Sequence, residues 1–145
     1  MKNAARGFTL IEVLVAVAIL AAAMMSVFAI YVHCTVELRR AKNRTLATNF
    51  AQQMMEMICA TPQLLAHYQG LTTTADPPVD NPVSADLLRW KAALQTFPTS
   101  AVGRIAVSPE PYAHVVTVAI TYDNYGRETT ATLVLKFPQP APLKM

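Results

Sequence analysis

Residues 13–36 form a run of 24 amino acids without Asp, Glu, Lys or Arg, and this run constrains the fold most. Folded as a helix it would extend ~36 Å, enough to cross the ~30 Å hydrocarbon core of a bilayer. Charged residues are only 14% of the chain, against a usual share of ~25%. The 145 residues therefore predict one membrane-embedding segment followed by one small domain, and they exclude a disordered chain.

The N-terminus indicates processing, and two routes fit its composition. Lys2 and Arg6 make the first residues basic, and an apolar run follows, as in a secretory signal that could be cut after Ala23. Against that route, the apolar run continues past Ala23, and Glu12 lies inside it. A secreted soluble protein released by cleavage after Ala23 stays open as an alternative.

Residues 7–16, Gly-Phe-Thr-Leu-Ile-Glu-Val-Leu-Val-Ala, resemble the signature of type IV prepilins. This family includes pilus subunits, minor pilins and the pseudopilins of type II secretion. The resemblance implies cleavage between Gly7 and Phe8 by a membrane aspartic prepilin peptidase on the cytoplasmic side. It also implies N-methylation of Phe8 by the same enzyme, with Glu12 as the acidic residue of the family.

The chemistry of these positions agrees with the resemblance. A basic leader with Lys2 and Arg6 favours a cytoplasmic N-terminus, and small Gly7 allows a protease to approach the backbone closely. Glu12 is costly in an apolar segment and so indicates a function or a partner. The amine that cleavage would create on Phe8, in the same chain or a neighbour, is its expected counter-charge. We expect Glu12 to act in assembly.

A single long helix is predicted over about 53 residues from Phe8, because no proline occurs before Pro62. Pro62 should end it near residues 59–61. From Glu37 onward apolar residues recur at spacings of three and four, which predicts one buried stripe. The expected stripe consists of Leu38, Ala41, Ala47, Phe50, Ala51, Met54 and Ile58.

The remaining chain predicts a small α+β head. We expect an irregular loop over residues 62–83, a short helix capped by Ser84 with Asp86 in its first turn, and three strands, the last two joined as a hairpin through residues 123–127. The expected buried side of the short helix consists of Leu87, Trp90, Leu94 and Phe97. We therefore expect an α+β fold in which the long N-terminal helix packs on this antiparallel sheet, and the resemblance implies that it is the type IV pilin-like fold.

The expected organisation has five parts. They are a leader (1–7), a transmembrane and assembly half of the long helix (8–36), an amphipathic half (37–61), a globular head (62–137) and a loose tail (138–145).

Signals for catalysis, cofactors or metals are weak. The three histidines lack metal-ligand spacing, and Cys34 and Cys59 are too far apart on one helix to form a disulfide. Asp76, Asp80 and Asp86 could supply oxygens to calcium, but their spacing matches no known loop motif. We interpret the chain as a substrate of enzymes rather than an enzyme, with no cofactor.

Four basic residues lie between Arg39 and Arg44. The positive-inside rule would place them in the cytoplasm, whereas the resemblance places them outside; we follow the resemblance. Anionic lipid headgroups are their expected partners, and contact with DNA phosphates is the alternative.

The function that the resemblance implies is that of a minor pilin of the PilV type, a structural subunit that helps to initiate pilus assembly. An I-type minor pseudopilin of type II secretion and a DNA-uptake pilin are the alternatives. The expected partners are prepilin peptidase, other pilins or pseudopilins, the inner-membrane assembly platform and membrane lipid. The expected location is the inner membrane, with the N-terminus cytoplasmic and the head periplasmic, and afterwards the filament.

Overall fold

A computed structural model of the chain describes residues 9–78, 80–111 and 113–138. The helices are α1 (Leu10–Ala60), a short 3-10 helix (Pro62–Tyr68) and α2 (Ser84–Leu94). The strands are β1 (Ala101–Glu110), β2 (Ala113–Asp123) and β3 (Glu128–Pro138). A long N-terminal helix followed by a three-stranded antiparallel sheet confirms the predicted α+β, pilin-like fold.

Helix α1 is 51 residues long. Neither proline nor glycine interrupts it, and it ends at Ala60, immediately before Thr61 and Pro62, as predicted. Its first helical residue is Leu10, whereas the sequence predicted a start at Phe8, which lies outside the described residues. The chain divides into two compact units, residues 1–39 and 40–145, and α1 contributes to both.

In the first unit, every described residue up to Cys34 is exposed. The exposed fraction of the large apolar side chains runs from 44% at Val32 to 82% at Leu10. The buried core helix of a soluble protein would show the opposite pattern. This part of α1 is long and apolar enough to cross a membrane. None of the 18 residues in its most apolar stretch is buried within the chain.

In the second unit, α1 supplies one side of the hydrophobic core. Its buried residues are Asn43, Ala47, Ala51, Met54, Met55 and Ile58. The predicted stripe was wrong at its beginning, because Leu38 is 72% exposed and Ala41 is also exposed. The buried face begins with polar Asn43 instead, one helical turn before Ala47.

The sheet supplies the other side of this core. Its strand order is β1-β2-β3, with both pairings antiparallel. Alternate residues on β1 and β2 point into the core. The fully buried members are Ile105, Val116, Val118, Ile120 and Tyr122.

A four-residue turn joins β2 to β3, which confirms the predicted hairpin. Asp123 pairs with Glu128 at its base, and the Gly126 amide donates a 2.9 Å hydrogen bond to Oδ1 of Asp123. Tyr125 and Gly126 both have positive φ, of 57° and 77°. Gly126 adopts this angle without strain because it has no Cβ atom.

Helix α2 packs its predicted side into the core, since Leu87, Trp90 and Leu94 are buried, as is Phe97 beyond its end. The predicted cap was wrong. Val83 occupies the capping position, and the Ser84 hydroxyl donates to the carbonyl oxygens of Asn81 and Pro78, at 2.6 and 2.8 Å. Because Ser84 is already helical, its side chain bonds to the preceding turn instead.

The segment after α1 is more ordered than the irregular loop that the sequence predicted. A 3-10 helix begins at Pro62, whose missing N–H suits a first helical position. The next residues then bond to the edge of β1. The Leu71 carbonyl oxygen accepts from the Ile105 amide at 2.9 Å, and the Gly70 amide donates to the Ile105 carbonyl oxygen at 3.2 Å. These contacts cover part of the outer edge of β1.

Candidate assembly and processing segment

The predicted site residues fall into two groups. Lys2, Arg6, Gly7 and Phe8 lie outside the described residues. Glu12 lies in the first turn of α1, where the dipole of a helix favours a carboxylate. Its role and those of the other four residues stay predictions.

The beginning of α1 is built by Thr9. Its carbonyl oxygen accepts hydrogen bonds from the amides of Glu12 and Val13, at 3.1 and 3.3 Å. Its hydroxyl Oγ1 also accepts from the Glu12 amide, at 3.4 Å. Thr9 is thus the N-cap residue of α1, and Glu12 is the third residue of the helix, an arrangement in which Thr and Glu often cap a helix together. The sequence analysis gave Thr9 no role, although the Thr-x-x-Glu spacing is a readable signal.

Glu12 is the only charged residue between positions 9 and 36. Its neighbours along the helix are apolar and exposed. Among the residues that the structure describes, positions 9–32 hold no second acid and no histidine that could act with this carboxylate in acid–base catalysis. It can serve instead as an anion that pairs with a cation from outside the described residues.

The three aspartates considered for calcium do not come together. Asp76 forms a 2.7 Å ion pair with Lys91, which lowers the pKa of that aspartate through hydrogen bonding and charge. Asp86 accepts a 2.7 Å hydrogen bond from the Tyr68 hydroxyl. Among the described residues, no group of three or more potential ligands could hold a metal ion.

The basic cluster at residues 39–44 is solvent-accessible in part. Arg39, Lys42 and Arg44 are exposed. Among the described residues, no carboxylate lies within ion-pair distance of these three. Their charges are therefore available to an anionic surface. Cys34 and Cys59 are free and exposed.

The head contains two polar contacts that the sequence analysis missed. Nδ2 of Asn43, which is buried, donates a 3.5 Å hydrogen bond to Oδ1 of Asn124, in the turn between β2 and β3. The indole Nε1 of Trp90 donates to the carbonyl oxygen of Phe50 at 2.9 Å and so ties α2 to α1. Neither contact has a sequence signal, because each joins residues at least 40 positions apart.

The geometry alone defines a class of protein, before any comparison with known proteins. The chain combines an exposed apolar helix that fits a membrane anchor with a small head built on the same helix. Residues 2–28 match the family model of the prokaryotic N-terminal methylation motif. This match confirms the resemblance to the type IV prepilin signature and is consistent with a type IV pilin-like family. Neither the search of curated proteins nor the search of solved structures gave a match.

The motif supports a type IV pilin or pseudopilin, a structural subunit rather than an enzyme. It implies processing by prepilin peptidase and assembly with other pilins. The motif and the exposed apolar helix together fit a membrane-anchored pilin.

Proposed function

We propose that this protein is a minor pilin of the PilV type, which is held in the inner membrane and then helps to initiate a type IV pilus. The N-terminus lies in the cytoplasm and the head in the periplasm. The observation that carries this proposal is an entirely exposed apolar helix surface, up to Cys34, with one carboxylate, Glu12, that lies within the methylation motif of residues 2–28. A surface of this kind needs lipid around it before assembly and other helices around it afterwards.

Residues 1–7 act as the leader in this proposal. Lys2 and Arg6 hold it in the cytoplasm, and the peptidase hydrolyses the bond between Gly7 and Phe8. The new amine of Phe8 is then methylated. The helix of residues 8–36 stays attached to the amphipathic half (37–61) and the head (62–137), so processing leaves the anchor in place.

A bulky residue at position 7 tests this cleavage. We expect Gly7→Val to block processing, because the side chain keeps the protease from the backbone. Ala5→Val, which adds similar bulk within the leader, is the matched control and should be cut normally. A blot of membranes separates precursor from product, and a product-size band for Gly7→Val would contradict the assigned site.

Assembly transfers the apolar helix surface from lipid to the helices of other subunits. This exchange supplies close packing without a direction or a register. We assign the register to Glu12, which pairs with the Phe8 amine of a neighbouring subunit. Two opposite charges attract more strongly in a medium of low dielectric constant than in water.

Glu12→Ala should leave cleavage and methylation intact but reduce incorporation into filaments. Leu14→Ala, a truncation of an exposed apolar residue two positions away, is the matched control and should incorporate almost normally. Fractionation into membranes and sheared filaments measures both variants. Normal incorporation of Glu12→Ala would refute the role of this carboxylate.

An I-type minor pseudopilin of type II secretion is the second candidate. The size of the chain and the stretch Arg44-Thr45-Leu46-Ala47 favour it. Purification of the tagged full chain from solubilised membranes distinguishes the two. Co-purification with minor pilins supports the first candidate, and co-purification with secretion pseudopilins supports the second.

The exposed cations Arg39, Lys42 and Arg44 also allow a DNA-uptake pilin. We propose anionic lipid headgroups as their partners instead, because they directly follow the apolar segment. Binding of the full chain to duplex DNA, measured over a range of salt concentrations, distinguishes these readings. A steep loss of affinity with rising salt would support phosphate contacts along DNA.

A further inference from the structure

Thr9 and Glu12 are joined at the first turn of α1, and this contact has a consequence for assembly. The Glu12 amide reaches two acceptors on Thr9, the carbonyl oxygen at 3.1 Å and Oγ1 at 3.4 Å. The helix begins at the next residue, Leu10. Thr9 therefore lies at the N-terminal end of the helix and contacts the amide of Glu12 in its first turn.

The surroundings make this cap more important than a cap in water. The first amides of a helix have no acceptor within the helix itself. In a soluble protein water satisfies them, whereas lipid offers no hydrogen bonds. From Leu10 to Ala23, Glu12 is the only residue whose side chain carries a hydrogen-bonding group. Within that stretch and Thr9, the Thr9 hydroxyl and the Glu12 carboxylate are the only side-chain acceptors.

We propose that Thr9 is a positioning residue for Glu12, an inference that rests on the proposed function of that carboxylate. By capping the Glu12 amide, Thr9 fixes the first turn, and the carboxylate then projects from a rigid helix rather than from a frayed end. The amine of a neighbouring subunit then meets the carboxylate at one axial position along the helix. This fixed position sets the register between the two subunits. Without the cap, the first turn frays and the axial position of the carboxylate varies.

The test uses the full chain in cells that produce the filaments. Thr9→Val keeps the shape of the side chain and removes the hydroxyl acceptor Oγ1 but leaves the carbonyl oxygen, whereas Thr9→Ser keeps both acceptors. We expect Thr9→Val to be cleaved and methylated normally but to enter filaments about fivefold less, the change that corresponds to the loss of a typical cap. Thr9→Ser should incorporate like the unaltered chain. Normal incorporation of Thr9→Val, failure of Thr9→Ser, or a block in cleavage of Thr9→Val would each overturn the inference.

A double variant shows whether Thr9 acts through Glu12. If it does, adding Thr9→Val to Glu12→Gln lowers incorporation no further, and an additive loss would mean that Thr9 acts separately. The two proposals fail in different ways. Normal incorporation of Glu12→Gln alone removes the role of Glu12 itself, whereas a defective Glu12→Gln with a normal Thr9→Val removes only the role of Thr9.

Discussion

Two buried tyrosines differ in what their hydroxyl groups contact. The Tyr68 hydroxyl donates to Oδ2 of Asp86 at 2.7 Å and lies 3.4 Å from Oγ1 of Thr61. The Tyr122 hydroxyl is equally hidden but has no hydrogen-bond partner among the described residues. Burial without such a partner costs free energy, so removing the two hydroxyls should have different effects.

We expect Tyr68→Phe to lower the free energy of unfolding by about 1–2 kcal/mol, because it breaks a hydrogen bond to a carboxylate. Tyr122→Phe should be neutral or slightly stabilising, because it removes only an unsatisfied group. Denaturant unfolding of the full chain in detergent, followed by the fluorescence of Trp90, measures both. Equal losses for the two variants would contradict the assigned contacts.

Alkaline pH tests the same contact independently. Burial is the main cause that raises the pKa of Tyr68, from 10.0 to about 12. The folded state therefore favours the neutral phenol. The contribution of this preference to the free energy of unfolding is complete below pH 10 and is lost as the pH rises through about 12. The unaltered chain should lose more stability in this range than Tyr68→Phe does.

At the scale of elements, α2 depends on a glycine in the strand it covers. A Cβ atom on Gly103 would overlap Cη2 of Trp90 and lie 2.5 Å from its Cζ3. Trp90 is fully buried and is held by its hydrogen bond to Phe50, so it has little freedom to move. Gly103 therefore allows the close approach of α2 and β1.

Gly103→Ala should lower the free energy of unfolding by about 1–3 kcal/mol, the usual cost of overpacking a core. Ser108→Ala, at an exposed position of β1, is the control and should change little. Thermal unfolding of the full chain in detergent measures both. A Gly103→Ala variant as stable as the control would show that Trp90 can move aside.

The elements were largely predictable from local patterns, and the errors have physical reasons. Helix α1, the apolar side of α2 and the β2–β3 hairpin all followed from periodicity and from proline and glycine positions. The misplaced stripe at Leu38 and Ala41 arose because spacing alone cannot tell where an amphipathic face meets the sheet. The burial of Asn43 was missed because its partner, Asn124, is 81 residues away. A polar residue without a known partner is predicted to be exposed from sequence alone.

The candidate site was predictable to a different degree. The motif predicts roles for Gly7, Phe8 and Glu12 without any structure, because the motif is local in the chain, and these roles stay predictions. The Thr-x-x-Glu spacing of Thr9 and Glu12 is a readable capping signal, but the start of the helix at Leu10, on which the cap depends, required coordinates. The Ser84 error shows the same limit: a residue of capping type lay one position inside the helix that it was expected to cap.

The whole molecule combines an exposed apolar helix surface with a closed hydrophobic core on one chain. The apolar surface of α1 is exposed up to Cys34, whereas the core of the head is closed by α1, α2 and the sheet. A protein released after Ala23 would lose the part of this apolar surface that precedes Met24, and Glu12 with it. The position of the mature N-terminus therefore separates a membrane-anchored subunit from a secreted protein.

The intact mass of the mature chain, isolated from membranes of cells that contain prepilin peptidase, tests this point most directly. We expect the mass of residues 8–145 with one added methyl group, and fragmentation should place that methyl on the amine of Phe8. A chain that begins after Ala23, or that keeps residues 1–7, would contradict this expectation.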